Sequence, residues 1–150
     1  MFAGTVSLTL DAKGRLAIPA RHRDALASVA GDAPLVLTAH PQRCLLLYPL
    51  AAWEPIRDKI LQAPSFDARS QSLKRVLVGS QQIIDALDSA GRLLVTPELR
   101  EHANLEKTVL MVGMGSHFEI WSEAGWKRQN DLALEALQGD TPPGFEDISL

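Results

Sequence analysis

The chain has 150 residues, the size of one domain, and 22% of them are charged while 46% are hydrophobic. That composition excludes a chain that is disordered throughout. The net charge is −3, but residues 1–75 carry ten basic and six acidic side chains, whereas residues 76–150 carry five and twelve. The net charge by itself argues against a nucleic-acid partner, yet it conceals a basic half joined to an acidic half.

The single cysteine, Cys44, excludes an intrachain disulfide and a multi-cysteine zinc site. It begins an apolar run, so we expect it in the core. The amino terminus alternates polar and apolar residues and lacks the features of a signal peptide. The longest apolar stretch, residues 44–53, is too short for a membrane helix, which needs about 20 residues. We therefore expect a cytoplasmic protein.

A β-hairpin is predicted first along the chain. Residues 5–10 alternate polar and apolar, as a half-buried strand does, and residues 11–14 have turn chemistry. Residues 15–18 then resume as a second strand. Pro19 cannot continue the sheet and suits the first turn of a helix, which we predict over residues 20–29.

Two more strands and a helical link follow. We predict strands over residues 35–38 and 45–48 and then a helix beginning near Trp53. Residues 51–79 carry apolar side chains at helical spacing in two segments separated by a Pro-containing break. We expect these two amphipathic helices to pack on the domain.

The hairpin occurs twice. Asp11-Ala-Lys-Gly14-Arg15-Leu16 recurs 77 residues later as Asp88-Ser-Ala-Gly91-Arg92-Leu93, and Arg23 and Arg100 share that offset. The second copy predicts the same succession of elements, with strands over residues 109–112 and 118–121 and a helix near Trp126. We divide the chain into a first repeat (1–53), a helical linker (54–79), a second repeat (80–126), and a helix end with an acidic, flexible tail (127–150).

One position departs from the repeat. Asp85 stands where the offset places Leu8, so that the inward alternation becomes Ile83, Asp85 and Leu87. A buried carboxylate without a partner is costly. We expect either a basic group beside Asp85 or an opening to solvent at a subunit contact.

The doubled Asp-x-x-Gly-Arg-Leu hairpin, the Pro-led helix and the segment from Leu45 to Trp53 together resemble the MraZ family of bacterial transcriptional regulators, over residues 1–132. The resemblance implies a double-split β-barrel of the AbrB and MazE swapped-hairpin type, formed by two interlocking repeats. It also implies a ring-shaped homo-oligomer associated with the nucleoid, which regulates the division and cell-wall gene cluster through repeated promoter elements.

The first repeat has the charge that DNA binding requires. Residues 11–23 have a formal charge of +3, whereas residues 88–100 have none. We therefore predict contacts to double-stranded DNA from Arg15, Lys13, Arg21 and Arg23, since guanidinium groups bind phosphates or guanine edges. A purely structural interpretation remains open, in which each Asp pairs with the Arg of its own hairpin and the two helix arginines are only solvated.

Few features of the sequence indicate an enzyme. Gly113-Met-Gly115 resembles a dinucleotide motif, but it lacks the third glycine and joins two predicted strands. The four histidines have no metal-ligand spacing, so we expect no metal, cofactor or small-molecule substrate. The main hypothesis is a DNA-binding regulator. The alternative is an antitoxin-like interaction module that uses the acidic tail.

Overall fold

The computed structural model describes residues 1–149. It contains eight strands in this part of the chain, namely β1 (Phe2–Thr9), β2 (Arg15–Ala17), β3 (Leu35–His40), β4 (Cys44–Pro49), β5 (Gln82–Ile84), β6 (Arg92–Leu94), β7 (Thr108–Gly115) and β8 (Phe118–Ser122). Five helices accompany them, namely α1 (Ala20–Ala30), α2 (Leu50–Gln62), α3 (Ala68–Leu77), α4 (Pro97–His102) and α5 (Glu123–Ala136).

The predicted succession of elements is confirmed, although several bounds differ. The helices expected near Trp53 and Trp126 each begin three residues earlier, at Leu50 and Glu123. Ser122 explains the second of these starts, because its side chain accepts a hydrogen bond from the Gly125 amide at 2.9 Å and caps the helix.

The two repeats exchange strands. Six antiparallel strands form one sheet in the order β1-β7-β8-β4-β3-β5. The first strand of each repeat therefore pairs with the third strand of the other repeat, β1 with β7 and β5 with β3. Both edges of this sheet are open, and residues 1–149 show no closed barrel.

The second strands of the two hairpins pair with each other as a separate ribbon, β2 with β6. Two reciprocal backbone hydrogen bonds extend the pairing: the Ile18 amide donates to the Gly91 carbonyl at 3.0 Å, and the Val95 amide donates to the Gly14 carbonyl at 2.8 Å. Each hairpin is thus completed by the other repeat.

The sheet is covered on both faces. Leu16 and Leu93 point inward from the ribbon and, with α1 and α4, bury one face of the sheet. Trp53 of α2 is fully buried against the opposite face, where its indole N–H donates to the Gln81 side chain at 2.6 Å. Burial on both faces explains the unbroken apolar run of β4. The predicted core position of Cys44 is confirmed.

The second repeat does not bury the residues that the offset predicts. Ile84 is buried, whereas Ile83 is 45% exposed. The prediction that Ile83 points inward was wrong, because β5 has only three residues and its register is shifted by one position, which turns every side chain to the other face. Asp85 lies beyond the end of β5 and is exposed, so its carboxylate needs no buried partner.

Candidate nucleic-acid interface

The first hairpin turn is organised by Asp11. Its Oδ1 accepts the backbone amides of Lys13 and Arg15, both at 2.9 Å, and its Oδ2 accepts the Arg15 Nε–H at 2.7 Å. The amide of Arg15 is the main cause that lowers the pKa of Asp11, although desolvation opposes it. The carboxylate therefore fixes the turn and anchors the guanidinium group through Nε.

The second turn repeats this geometry. Asp88 Oδ1 accepts the amides of Ala90 and Arg92 at 3.0 and 2.8 Å, and Oδ2 accepts the Arg92 Nε–H at 2.8 Å. The pKa of Asp88 is lowered, again mainly by the amide of the motif arginine. The ion pair predicted within each hairpin is confirmed.

The Asp–Arg pairs leave most of each guanidinium group available. Only Nε of Arg15 and of Arg92 donates a hydrogen bond, and within residues 1–149 the terminal nitrogens of both have no partner. The two side chains are 27% and 33% exposed. Each arginine is thus anchored through Nε, and its two terminal nitrogens remain available as hydrogen-bond donors.

An arginine of the opposite repeat lies on each turn glycine. Gly14 has φ +83°, and a Cβ there would meet Arg100 Cζ at 2.8 Å. Gly91 has φ +71°, and a Cβ there would meet Arg23 Cδ at 2.7 Å. Glycine is favoured at both positions by the positive φ, and a Cβ there would also displace the arginine that lies on the turn. Arg100 consequently belongs to the first hairpin in space, and Arg23 belongs to the second.

The outward face of the ribbon carries four side chains. Arg15 lies opposite Leu94, and Ala17 lies opposite Arg92. Residues that face each other across antiparallel strands share one side of the sheet. The two arginines therefore occupy opposite corners of a single surface, and Arg15, Arg92 and Leu94 also line one shallow depression.

The other predicted DNA-binding residues are distributed around this face. Lys13 is exposed at the tip of the first hairpin. Arg21 is exposed on α1, and its Nη2 lies 3.8 Å from a Cβ built at Gly4 of β1. Arg23 is half-buried over the second hairpin turn. The structure thus brings Lys13 and Arg15 together but does not place the two helix arginines in the ribbon.

The sequence reasoning missed two residues of this face, Leu94 and Gln82. Leu94 is 53% exposed, and its carbonyl accepts the Gln82 side-chain N–H at 2.8 Å. A comparison of the two copies could have identified Leu94, because the 77-residue offset makes it the equivalent of Ala17. Gln82 is revealed only by the fold, which brings the start of β5 beside β6.

The described residues show neither a metal site nor a membrane helix. Among residues 1–149, no group of three His, Cys, Asp or Glu side chains is arranged to hold a metal ion. In the same part of the chain, no helix has both the length and the apolar character needed to cross a bilayer.

Two copies of one hairpin, joined as a ribbon that displays preoriented arginines, define a class of protein suited to binding a polyanion. The family model described as "MraZ protein, putative antitoxin-like" matches residues 1–76 and 81–139. Proteins named "Transcriptional regulator MraZ" from Dechloromonas aromatica and Aromatoleum aromaticum are 68% and 60% identical, over the whole of both chains in each comparison. A protein of the same name from Azoarcus is 55% identical, also over both full lengths. The chain belongs to the MraZ family.

Proposed function

We propose that this chain is a sequence-specific DNA-binding transcriptional regulator, and that the β2–β6 ribbon is the part that reads DNA. A two-stranded ribbon fits the major groove. The single observation that carries the proposal is the pair of outward arginines, Arg15 and Arg92, each fixed by an aspartate through Nε alone. The names of its full-length relatives support the same function.

The Asp–Arg pairs give the ribbon its chemistry. With Nε occupied by Asp11, the Arg15 terminal nitrogens are left to donate to guanine O6 and N7 or to two phosphate oxygens. The guanidinium is oriented before DNA arrives, so less conformational entropy is lost on binding. Asp88 prepares Arg92 in the same way.

The remaining cations differ between the two hairpins. Around the first turn, the cations Lys13, Arg15 and Arg100 outnumber Asp11 by two charges. Around the second, Arg23 and Arg92 outnumber Asp88 by one.

Around the turns the contrast is therefore smaller than the sequence predicts and reduces to Lys13 against Ala90, and the other two charges of the difference come from Arg21 on α1 against Glu98 on α4. We assign base or phosphate contacts to both ribbon arginines, with the larger share from Arg15. Lys13 and Arg21 contact phosphates. Arg23 and Arg100 support the turns.

The assembly and targets follow from the family resemblance. We include in the proposal a homo-oligomeric ring, association with the nucleoid, and repeated promoter elements of the division and cell-wall genes. The strand exchange between repeats supports an origin in a swapped-hairpin barrel of the AbrB type. Several ribbons on one oligomer would bind adjacent DNA elements together, so that avidity raises a modest affinity per ribbon.

The test is in vitro selection from a random duplex library, followed by mobility shifts with single variants. Arg15→Ala and Arg92→Ala should each weaken binding to the selected duplex by about 5- to 150-fold per contact, the range for a bidentate arginine–guanine pair. Arg57→Ala is the matched control, because Arg57 also pairs with an aspartate but lies on α2. If the library yields no enriched sequence, or if all three variants bind equally, the proposal is wrong.

A second candidate function is protein binding through the tail. Phe145 and Ile148 are 52% and 56% exposed within an acidic segment, a pattern that suits a partner's groove. Removal of the residues after Leu137 separates the two functions. If a co-purifying protein is lost while DNA affinity is unchanged, the tail serves interaction.

A further inference from the structure

Leu94 is an unusual residue for the outward face of the ribbon. It is 53% exposed and lies directly opposite Arg15, yet it belongs to none of the apolar clusters that form the core of residues 1–149. Its backbone is fixed by ladder pairing and by the hydrogen bond that its carbonyl accepts from Gln82. A large aliphatic side chain is therefore held in place beside a prepared guanidinium group, with its surface in water.

The equivalent position of the first repeat breaks the internal symmetry. Ala17 takes the place of Leu94 and lies opposite Arg92. The ribbon thus has one arginine at each of two corners but a bulky apolar side chain beside only one of them. The asymmetry lies on the surface and not in the packing, because the inward residues of the two strands, Leu16 and Leu93, are the same and equally buried.

The chemistry of the major groove limits what such a side chain recognises. Base edges present hydrogen-bonding groups, and the 5-methyl of thymine is the one apolar group among them. An aliphatic side chain beside an arginine that pairs with guanine is close enough to contact the neighbouring base. Contact with a thymine methyl removes apolar surface on both sides from water.

We propose that Leu94 is a specificity-determining residue that contacts the 5-methyl group of a thymine next to the base read by Arg15. The inference rests on the proposed function. Because Ala17 is too short to make the equivalent contact, the second arginine imposes no such requirement. The DNA element is then not a perfect palindrome, although the two arginines are related by a pseudo-twofold axis.

The test uses the duplex that the wild-type protein selects from a random library. Uracil replaces each thymine in turn, which removes the methyl group and preserves the hydrogen-bonding edge. At one position the wild-type affinity should fall by about fourfold per contact, the factor that corresponds to burying one methylene-sized group. Leu94→Ala should bind the thymine duplex more weakly and should not distinguish thymine from uracil there.

Two variants control the test. Leu132→Ala removes another half-exposed leucine, on α5, and should keep the wild-type discrimination. Ala17→Leu should create a second thymine-dependent position on the other side of the site.

The inference is overturned if no uracil substitution affects the wild-type protein, or if Leu94→Ala keeps its discrimination. It is also overturned if Leu94→Ala changes the oligomeric mass measured by light scattering, since Leu94 would then be a subunit contact. A library that yields no enriched sequence defeats the proposed function and this inference together, whereas enrichment without uracil sensitivity defeats this inference alone.

Discussion

Exchange of Lys13 and Ala90 between the hairpins isolates the one charge that distinguishes the two tips. Both residues donate only a backbone amide to the turn aspartate, at 2.9 and 3.0 Å, and either side chain preserves that bond. Lys13→Ala and Ala90→Lys should therefore leave the folded structure intact. Their effect on DNA binding should come from charge alone.

The magnitude follows from counterion release. Each neutralised phosphate contributes about −0.9 to the slope of log K against log salt concentration. Lys13→Ala should make the slope shallower by about 0.9 for every protomer that contacts DNA. Ala90→Lys should make it steeper by up to the same amount, and the double variant should restore it. In the double variant, Arg92→Ala should also become more damaging than Arg15→Ala.

Fluorescence anisotropy at several salt concentrations measures these slopes, and thermal unfolding verifies that the variants are folded. Equal slopes for all four proteins would refute the assignment of Lys13 to a phosphate. If the slope changes but Arg15→Ala remains more damaging to DNA binding than Arg92→Ala, only the proposal that the lysine-bearing hairpin makes the larger contact is refuted.

Two further predictions concern stability. Gly14→Ala and Gly115→Ala both place a side chain at φ +83°, which costs about 1–2 kcal/mol. Only at Gly14 does the new Cβ also meet Arg100, so denaturant unfolding should show the larger loss of stability for Gly14→Ala. Equal losses would contradict the contact between Arg100 and the first hairpin turn. His22 is 5% exposed, its Nε2 has no hydrogen-bond partner within residues 1–149, and burial lowers its pKa from 6.5. The unfolded chain therefore takes up the proton first, and the free energy of unfolding should fall as the pH drops below 6.5. His22→Leu, which copies Leu99 at the equivalent position of the second repeat, should show a shallower fall, and parallel stability curves would refute this origin of the pH dependence.

Local features of this fold could be predicted from the sequence because they depend on local chemistry. The Asp–Arg pair within each turn, the helix start after Pro19 and the buried Cys44 all follow from neighbouring residues. The second copy of the motif strengthens the first two of these predictions, since the same turn chemistry and the same Pro-led helix start recur in the same strand context.

The pairing partners could not be predicted in this way. Alternation in β1 shows that one side is buried, but it does not identify β7 as the neighbouring strand. The positions of Arg23 and Arg100 follow from that exchange, and so they were assigned to the wrong hairpins by counting charge along the chain. The one-residue shift at Ile83 is equally invisible, because both Ile83 and Ile84 suit a strand interior.

The pairing of β1 with β7 has a consequence for the order of synthesis. Phe2 lies opposite Gly115, so β1 leaves the ribosome well before β7, its partner in the sheet. At about 5–20 residues per second, the intervening ~100 residues take roughly 5–20 s to be made. During that interval β1 is an unpaired edge that other nascent chains can join. The side chains that are exposed in the folded protein are small or polar, Thr5, Ser7 and Thr9 among them, so the apolar groups of β1 that wait for cover until β7 is made are those of its other face, Phe2 and Leu8.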